Sequence, residues 1–390
     1  MLKIWLQRNL KGDPVIWGII FALSLISIAV VYSAIGSLAY KKMHGDTEYY
    51  LIKHSLIVFL SLGSMWLAHK VDYRYYAKIG RLGLILSIPL LLGTYFMGDN
   101  INEASRWITI PIIGQSFQPS DFAKLMLIIN LAAMLAKKQA NIEDIKESFI
   151  PIIFWCGIVC GLIALTNLST AIILFATCLL VMFIGRVPIQ YLVMLVFAGL
   201  ALVTVALLVG QRLGTAISRF DSFFMSGEIP FQAEQAYKAI ATGNIFGQGP
   251  GQSIQSDFLP HSYSDFIYAI IVEEYGMIGG ILVLFLYLAL LFRAMKTVIK
   301  SDRAFGGLLS AGLGFSLVIQ AMINMGVAVG LGPITGQPLP LLSMGGTSLL
   351  FTGISLGIIL SVSRGDLAEG GNENKNVNIN KLKNEPEPTF

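Results

Sequence analysis

Three stretches of this 390-residue chain hold residues whose types and spacing suit chemistry. The first reads SRWITIPIIGQSFQPSDFAKL over residues 105–125. Arg106 and Trp107 stand at a polar–apolar border, and Ser120-Asp121 open the apolar run that follows. A serine there suits a helix N-cap, and a carboxylate suits the positive end of the helix dipole. Lys124 falls in the same first turn, where a cation opposes that dipole. Two readings stand for it: snorkelling to the outer interface, or an anion-binding group facing a cavity.

The second stretch, GNIFGQGPGQS (243–253), places four glycines in nine residues. Their backbone freedom lets N–H groups around Gly249 and Gly251, with Ser253, cradle a phosphate; the plainer reading is a set of turns. Downstream, Ser264-Asp265 lead into DFIYAIIVEEYGMIGG. Asp265 is either a helix cap or a proton acceptor at the membrane edge. Glu273 and Glu274 lie roughly 12–13 Å deeper along that helix and project about 100° apart. Charges at such depth face a protein interior or water, so these two are expected to be protonated or paired with a cation such as Lys124 or Arg106. The third stretch, GLGPITGQPLPLLSMGGTSLL (330–350), contains Ser343 and no charged residue. Its prolines and glycines exclude a continuous helix, and irregular backbone near membrane depth must line protein or a water-filled cavity.

The elements that carry these residues follow from composition. Hydrophobic residues make up 55% of the chain and charged residues 13%, against about a quarter charged in an ordinary soluble domain. That excludes a soluble enzyme, a disordered chain and a secreted disulfide-rich domain. Ten apolar runs reach the roughly 20 residues a crossing helix needs. They lie at 15–37, 51–69, 80–97, 119–136, 149–166, 168–185, 188–210, 265–292, 305–330 and 346–363. The break between the fifth and sixth rests on Thr166-Asn167. The expected fold is all-α: a polytopic membrane protein with ten transmembrane helices and a large extracytoplasmic loop between helices seven and eight. Residues 1–364 form one transmembrane domain, and the polar, Asn-rich 365–390 a disordered cytoplasmic tail. With both termini in the cytoplasm, nineteen of the 27 lysines and arginines fall on the inner side, as the positive-inside rule requires. The informative loops, 98–118, 211–264 and 331–345, are then external. Met1–Lys11 is a positive flank or a short interfacial helix. The first apolar run is too long for a cleavable signal peptide. Cys156, Cys160 and Cys178 sit inside apolar runs and read as small hydrophobes. No nucleotide-phosphate motif occurs, and no nucleic acid partner is expected.

The sequences SRW, QPSDFAK, GQGPGQS, LPHSYSDFIYAIIVEEYG and NMGVAVGLGPITGQPLPLLSMGGTSLL occur in that order. Together they resemble the SEDS family (shape, elongation, division and sporulation; the FtsW/RodA/SpoVE proteins). The resemblance implies a peptidoglycan glycosyltransferase that polymerises lipid II, an undecaprenyl-diphosphate-linked disaccharide peptide, at the outer face of the cytoplasmic membrane. It implies a class B penicillin-binding transpeptidase and other division proteins as partners. The family's essential aspartate falls on Asp265, and its other polar positions on Arg106, Lys124, Glu273, Glu274, Ser343 and the glycine-rich loop. A divalent cation, magnesium or manganese, held by carboxylates is a further option. The chain departs from the pattern at Asp121, where glutamate is frequent; at TNLST (166–170), which lacks the acid of PDLGT; and at Met344, where an aromatic is usual. GISLGIILSVSR and RLGTAISRF look more like the division branch, which implies a septal location. Intramembrane glutamates and broken helices also suit a lipid II flippase, and the elongation branch shares the motifs.

Overall fold

Backbone in hydrocarbon must satisfy its own N–H and C=O groups, so apolar runs cross as helices. The computed structural model describes residues 10–36, 47–97, 99–101, 104–110, 115–209, 213–225, 229–301 and 303–383. The helices are α1 Pro14–Ala34, α2 Thr47–Lys70, α3 Tyr73–Met97, α4 Pro119–Lys138, α5 Ile150–Thr166, α6 Leu168–Ile184, α7 Ile189–Val209, α8 Leu213–Phe224, α9 Phe231–Gly243, α10 Gln255–Phe258, α11 Ile267–Lys300, α12 Ala304–Ala328 and α13 Gly346–Lys383. Eight of these segments are long and apolar enough to cross a membrane; α6 and α7 hold shorter apolar stretches at the places of the sixth and seventh expected runs. The chain is a multi-pass membrane protein.

The break at Thr166-Asn167 has a local cause. Asn167 leaves helical geometry (φ −148°, ψ 83°), its N–H still bonds Ile163 O, and its side chain accepts from Thr170 N. One residue thus ends α5 and caps α6.

Within the external stretch 98–118, Asp99–Ile101, Ala104–Ile110 and Gln115–Phe117 form β1, β2 and β3 of an antiparallel sheet ordered β1-β2-β3. The cap of α4 is Gln118 rather than Ser120, because Pro119 takes the first helical position, where its missing N–H costs nothing. The Ser120 hydroxyl instead accepts from Gln118 Nε2 at 2.8 Å. The last helix is described as far as Lys383, and its span-like part ends at Gly365. The interfacial helix considered for Met1–Lys11 falls almost wholly outside the described residues.

Basic residues gather at one end of the bundle. Asp13 caps α1 and receives Arg293 Nε at 2.6 Å from the far end of α11. Arg364 of α13 donates to Lys70 O at the end of α2. The three cysteines are buried and unbridged. The most enclosed of the spans are α12 and α4, and they carry the polar side chains that organise the opposite end.

Candidate active site

Asp265 lies in the turn 260–266 just ahead of α11. Its carboxylate is not the helix cap: the N-cap is Phe266, with no side-chain capping bond. The surrounding contacts hold its backbone instead. Asn324 of α12 donates from Nδ2 to both Asp265 O and Gln337 O, each at 2.7 Å. Ser343 Oγ donates to Ser264 O and accepts from Leu339 N, and Met344 N donates to Tyr263 O at 2.8 Å. The turn is thereby clamped against the charge-free loop 330–345, and the acid stays half-buried, with Ser264 Oγ donating to its Oδ1 at 3.0 Å.

That loop is the irregular backbone expected to line a site, and side chains satisfy it. Gln320 reaches Pro338 O, Tyr287 reaches Pro340 O, Ser27 reaches Leu342 O, and Gln337 reaches Thr170 Oγ1. Gly336 has φ +64°, and a Cβ there would stand 3.5 Å from Asp265 Oδ2. Only glycine takes that turn cheaply while leaving the space beside the carboxylate open. Ser343, expected to touch substrate, is thus placed to fix the turn.

Beside this loop lies a cavity of about 180 Å³ lined by Arg219, Ser222, Tyr237, Val327, Gly332 and Ile334, among others. Arg219 Nη1 donates to Ile334 O at 2.9 Å. Burial pushes the guanidinium below its ordinary pKa, and the Asp265 charge pushes it back up. Burial, reinforced by the same charge, raises Tyr263. Sequence marks Arg219 only as one of several external cations. The missed signal is helical spacing in LGTAISRFDSFF: Ile217, Phe220 and Phe224 share one face, and Arg219, Ser222 and Phe223 the other.

The glycine-rich loop has a different partner from the expected phosphate. Gly276 breaks α11 with φ +70° and ψ −172°. The freed groups bond the loop: Gln248 N to Glu273 O at 2.9 Å, Gly249 N to Glu274 O at 3.0 Å, and Met277 N to Asn244 O at 2.9 Å. The loop splints a broken helix, so the Gly249 amide offered to a phosphate is spent on α11. Gly251 also has positive φ, with open space where a Cβ would stand. A Cβ on Gly276 would overlap the Ile245 carbonyl. Gly276→Ala is therefore expected to cost more than the roughly 1–3 kcal/mol of that essentially glycine-only conformation alone. Thermal unfolding should fall, and protease should cut at 243–253 faster; an unchanged cleavage rate would remove the splint.

Glu273 and Glu274 both reach the segment 251–255, and neither meets Lys124. Glu273 accepts from Ser253 Oγ, Ile254 N (3.1 Å) and Gln255 N (3.2 Å), so it caps α10. Glu274 accepts from Ser33 Oγ of α1. Ser253, expected at a phosphate, serves Glu273. Lys124 pairs with Asp121 (Nζ–Oδ1 3.5 Å) and donates to Gln320 Oε1 at 2.9 Å. A buried ammonium so held does not snorkel. Arg106 falls in β2, and its side chain lies outside the described residues. Among the described residues no group of three or more His, Cys, Asp or Glu is placed to hold a metal ion.

A polar chain therefore joins Asp121, Lys124, Gln320 and Pro338, while Asn324, one turn along α12 from Gln320, holds Asp265. The family model for FtsW, RodA and SpoVE, described as cell cycle protein, matches residues 14–366. A probable peptidoglycan glycosyltransferase FtsW from Geobacter sp. (strain M18) is 32% identical over 372 residues, covering 92% of this chain and 98% of that protein. Stage V sporulation protein E of Bacillus subtilis (strain 168) is 32% identical over 367 residues, covering 91% and 98%. A solved structure on the coordination of polymerisation and crosslinking by a peptidoglycan synthase complex superposes with TM-score 0.71, at 26% identity, over 91% of this chain and 98% of that one. The rod shape determining protein RodA of Thermus thermophilus superposes with TM-score 0.65, at 25% identity, over 90% and 97%.

Proposed function

The chain belongs to the FtsW/RodA/SpoVE family of cell cycle proteins, and from that premise we propose that it is a peptidoglycan glycosyltransferase that polymerises lipid II during cell division. The reaction joins the anomeric carbon of a lipid-linked donor sugar to the 4-hydroxyl of an acceptor sugar. The donor is α-linked and the product β-linked, so direct inversion needs one general base at the acceptor hydroxyl and cations at the departing diphosphate. It needs no strong acid, because a diphosphate leaves readily, and so no second catalytic carboxylate.

Asp265 is the base in this reading. The observation that carries it is the clamped turn: the backbone is fixed by Asn324, Ser343 and Met344, while the carboxylate stays half-buried beside Gly336. Arg106 and Lys124 are assigned to the diphosphate side, and Gly251 to the substrate-facing part of its loop. A flippase is the rival reading, favoured by the break in α11. Its freed backbone groups are bonded to loop 243–253 rather than left to line an ion site, which favours the transferase. Purified protein with labelled lipid II decides: polymer supports the transferase, translocation without polymer the carrier, and neither a scaffold. A class B penicillin-binding transpeptidase and other division proteins are the proposed partners.

Orientation belongs to the same reading. The basic end of the bundle faces the cytoplasm with both termini, in the cytoplasmic membrane at the septum, and 365–390 is a tail beyond the single transmembrane domain. Reporter fusions after Lys296 and in the tail are expected to read cytoplasmic, and one near Gly243 external. An external tail would put Asp265 on the wrong side for polymerisation.

A further inference from the structure

We propose that Arg219 receives the diphosphate of the lipid-linked donor, at the cavity beside Asp265. The assignment rests on the transferase reading and adds a residue to it. Arg219 and Asp265 touch the same short piece of chain: the guanidinium holds Ile334 O at 2.9 Å, and Gly336, two residues on, faces the Asp265 carboxylate. Two residues span at most about 7 Å, so the cation stands close to the base without being consumed by the loop. One Nη donates to Ile334, and the guanidinium has five N–H donors in all, enough to present a fork to phosphate oxygens. The cavity of about 180 Å³ that it lines gives the anion room for direct contact; the space around Lys124 is about 10 Å³, so that cation acts on the diphosphate side from a distance.

Depth agrees with this. α8 follows directly on the apolar α7, and its Ile217, Phe220 and Phe224 face away from the protein, more than half exposed. An amphipathic helix of that kind lies in the membrane interface with its apolar side down. The diphosphate of a polyprenyl lipid sits at the same level, with its tail below. Arg219 projects from the opposite face of the helix into the cavity. In the transfer step the acceptor oxygen bonds to the anomeric carbon as the bond from that carbon to the diphosphate oxygen breaks. The hydroxyl proton goes to Asp265, and the electron pair goes to the diphosphate, whose added charge Arg219 stabilises.

Calorimetry with full-length protein in nanodiscs tests this without turnover when Asp265→Asn is the parent. The probes are inorganic pyrophosphate and farnesyl diphosphate. Arg219→Gln on that parent is expected to weaken both at least tenfold at a similar unfolding midpoint, with Arg219→Lys intermediate because it keeps charge and loses the fork. Farnesyl diphosphate should bind tighter than pyrophosphate. Unchanged binding in Arg219→Gln, no binding to the folded parent, or no gain from the farnesyl tail overturns the assignment. If Arg219→Gln does not fold, Arg219→Lys decides alone: binding equal to the parent overturns the role of the fork. In otherwise wild-type protein Arg219→Gln should lower kcat by about 10²-fold. Should Asp265→Asn polymerise normally, the base reading falls while the binding result for Arg219 stands.

Discussion

Asp265→Asn inserts, folds and makes no glycan polymer: that is the expected result. A positioned base contributes roughly 10²–10⁴-fold to rate, and an amide cannot take the proton. Folding survives because the bonds that fix the turn run through backbone atoms. Asn324 holds Asp265 O, Ser343 holds Ser264 O, and Met344 N reaches Tyr263 O. Ser264 Oγ donates to Oδ1, an acceptor that asparagine keeps. The unfolding midpoint of the variant should therefore match wild type while polymerisation of labelled lipid II vanishes. Asp265→Glu should retain partial activity, since the open space beside Gly336 admits a longer acid. Polymerisation within a few-fold of wild type in Asp265→Asn would sink the assignment. Glu273 and Glu274 would be next, and both would first have to leave their partners, Ser253 and Ser33.

Much of this architecture is written in local pattern. Apolar run length fixes the spans because hydrocarbon leaves the backbone no other solution, and a single polar residue, Asn167, separates two of them by capping. The charge-free loop 330–345 is legible for the same reason: irregular backbone at depth needs protein around it, and Ser27, Tyr287, Gln320 and Asn324 supply it. What sequence does not show is who meets whom. The glycine-rich loop carries the composition of a phosphate cradle, yet its amides close the gap opened by Gly276, a pairing across about 30 residues of chain. Glu273 reads as a deep charge in need of a cation, and instead caps a four-residue helix. Arg219 looks like one cation among several until α8 is folded and its apolar face turned outward. The sheet β1–β3 escapes because its strands are three to seven residues long, too short for alternation to register.

Lys124→Met is expected to destabilise the protein by about 3–5 kcal/mol, the cost of leaving one member of a buried ion pair alone. Asp121 and Lys124 sit 3.5 Å apart with side chains only 8% and 14% exposed, so solvent cannot replace the lost partner. The ammonium also fixes Gln320, whose amide holds Pro338 O in the loop beside Asp265. Removing the orphaned charge as well, in Asp121→Asn/Lys124→Met, should restore most of the stability. Polymerisation per folded molecule should not follow: Gln320 has lost the donor that orients it, and the diphosphate side has lost a cation. Thermal unfolding in detergent, run beside the lipid II assay on all four proteins of the cycle, reads the two effects separately. Recovery of both stability and rate in the double variant would reduce Lys124 to a counter-ion for Asp121 and leave the leaving group to Arg219 and Arg106.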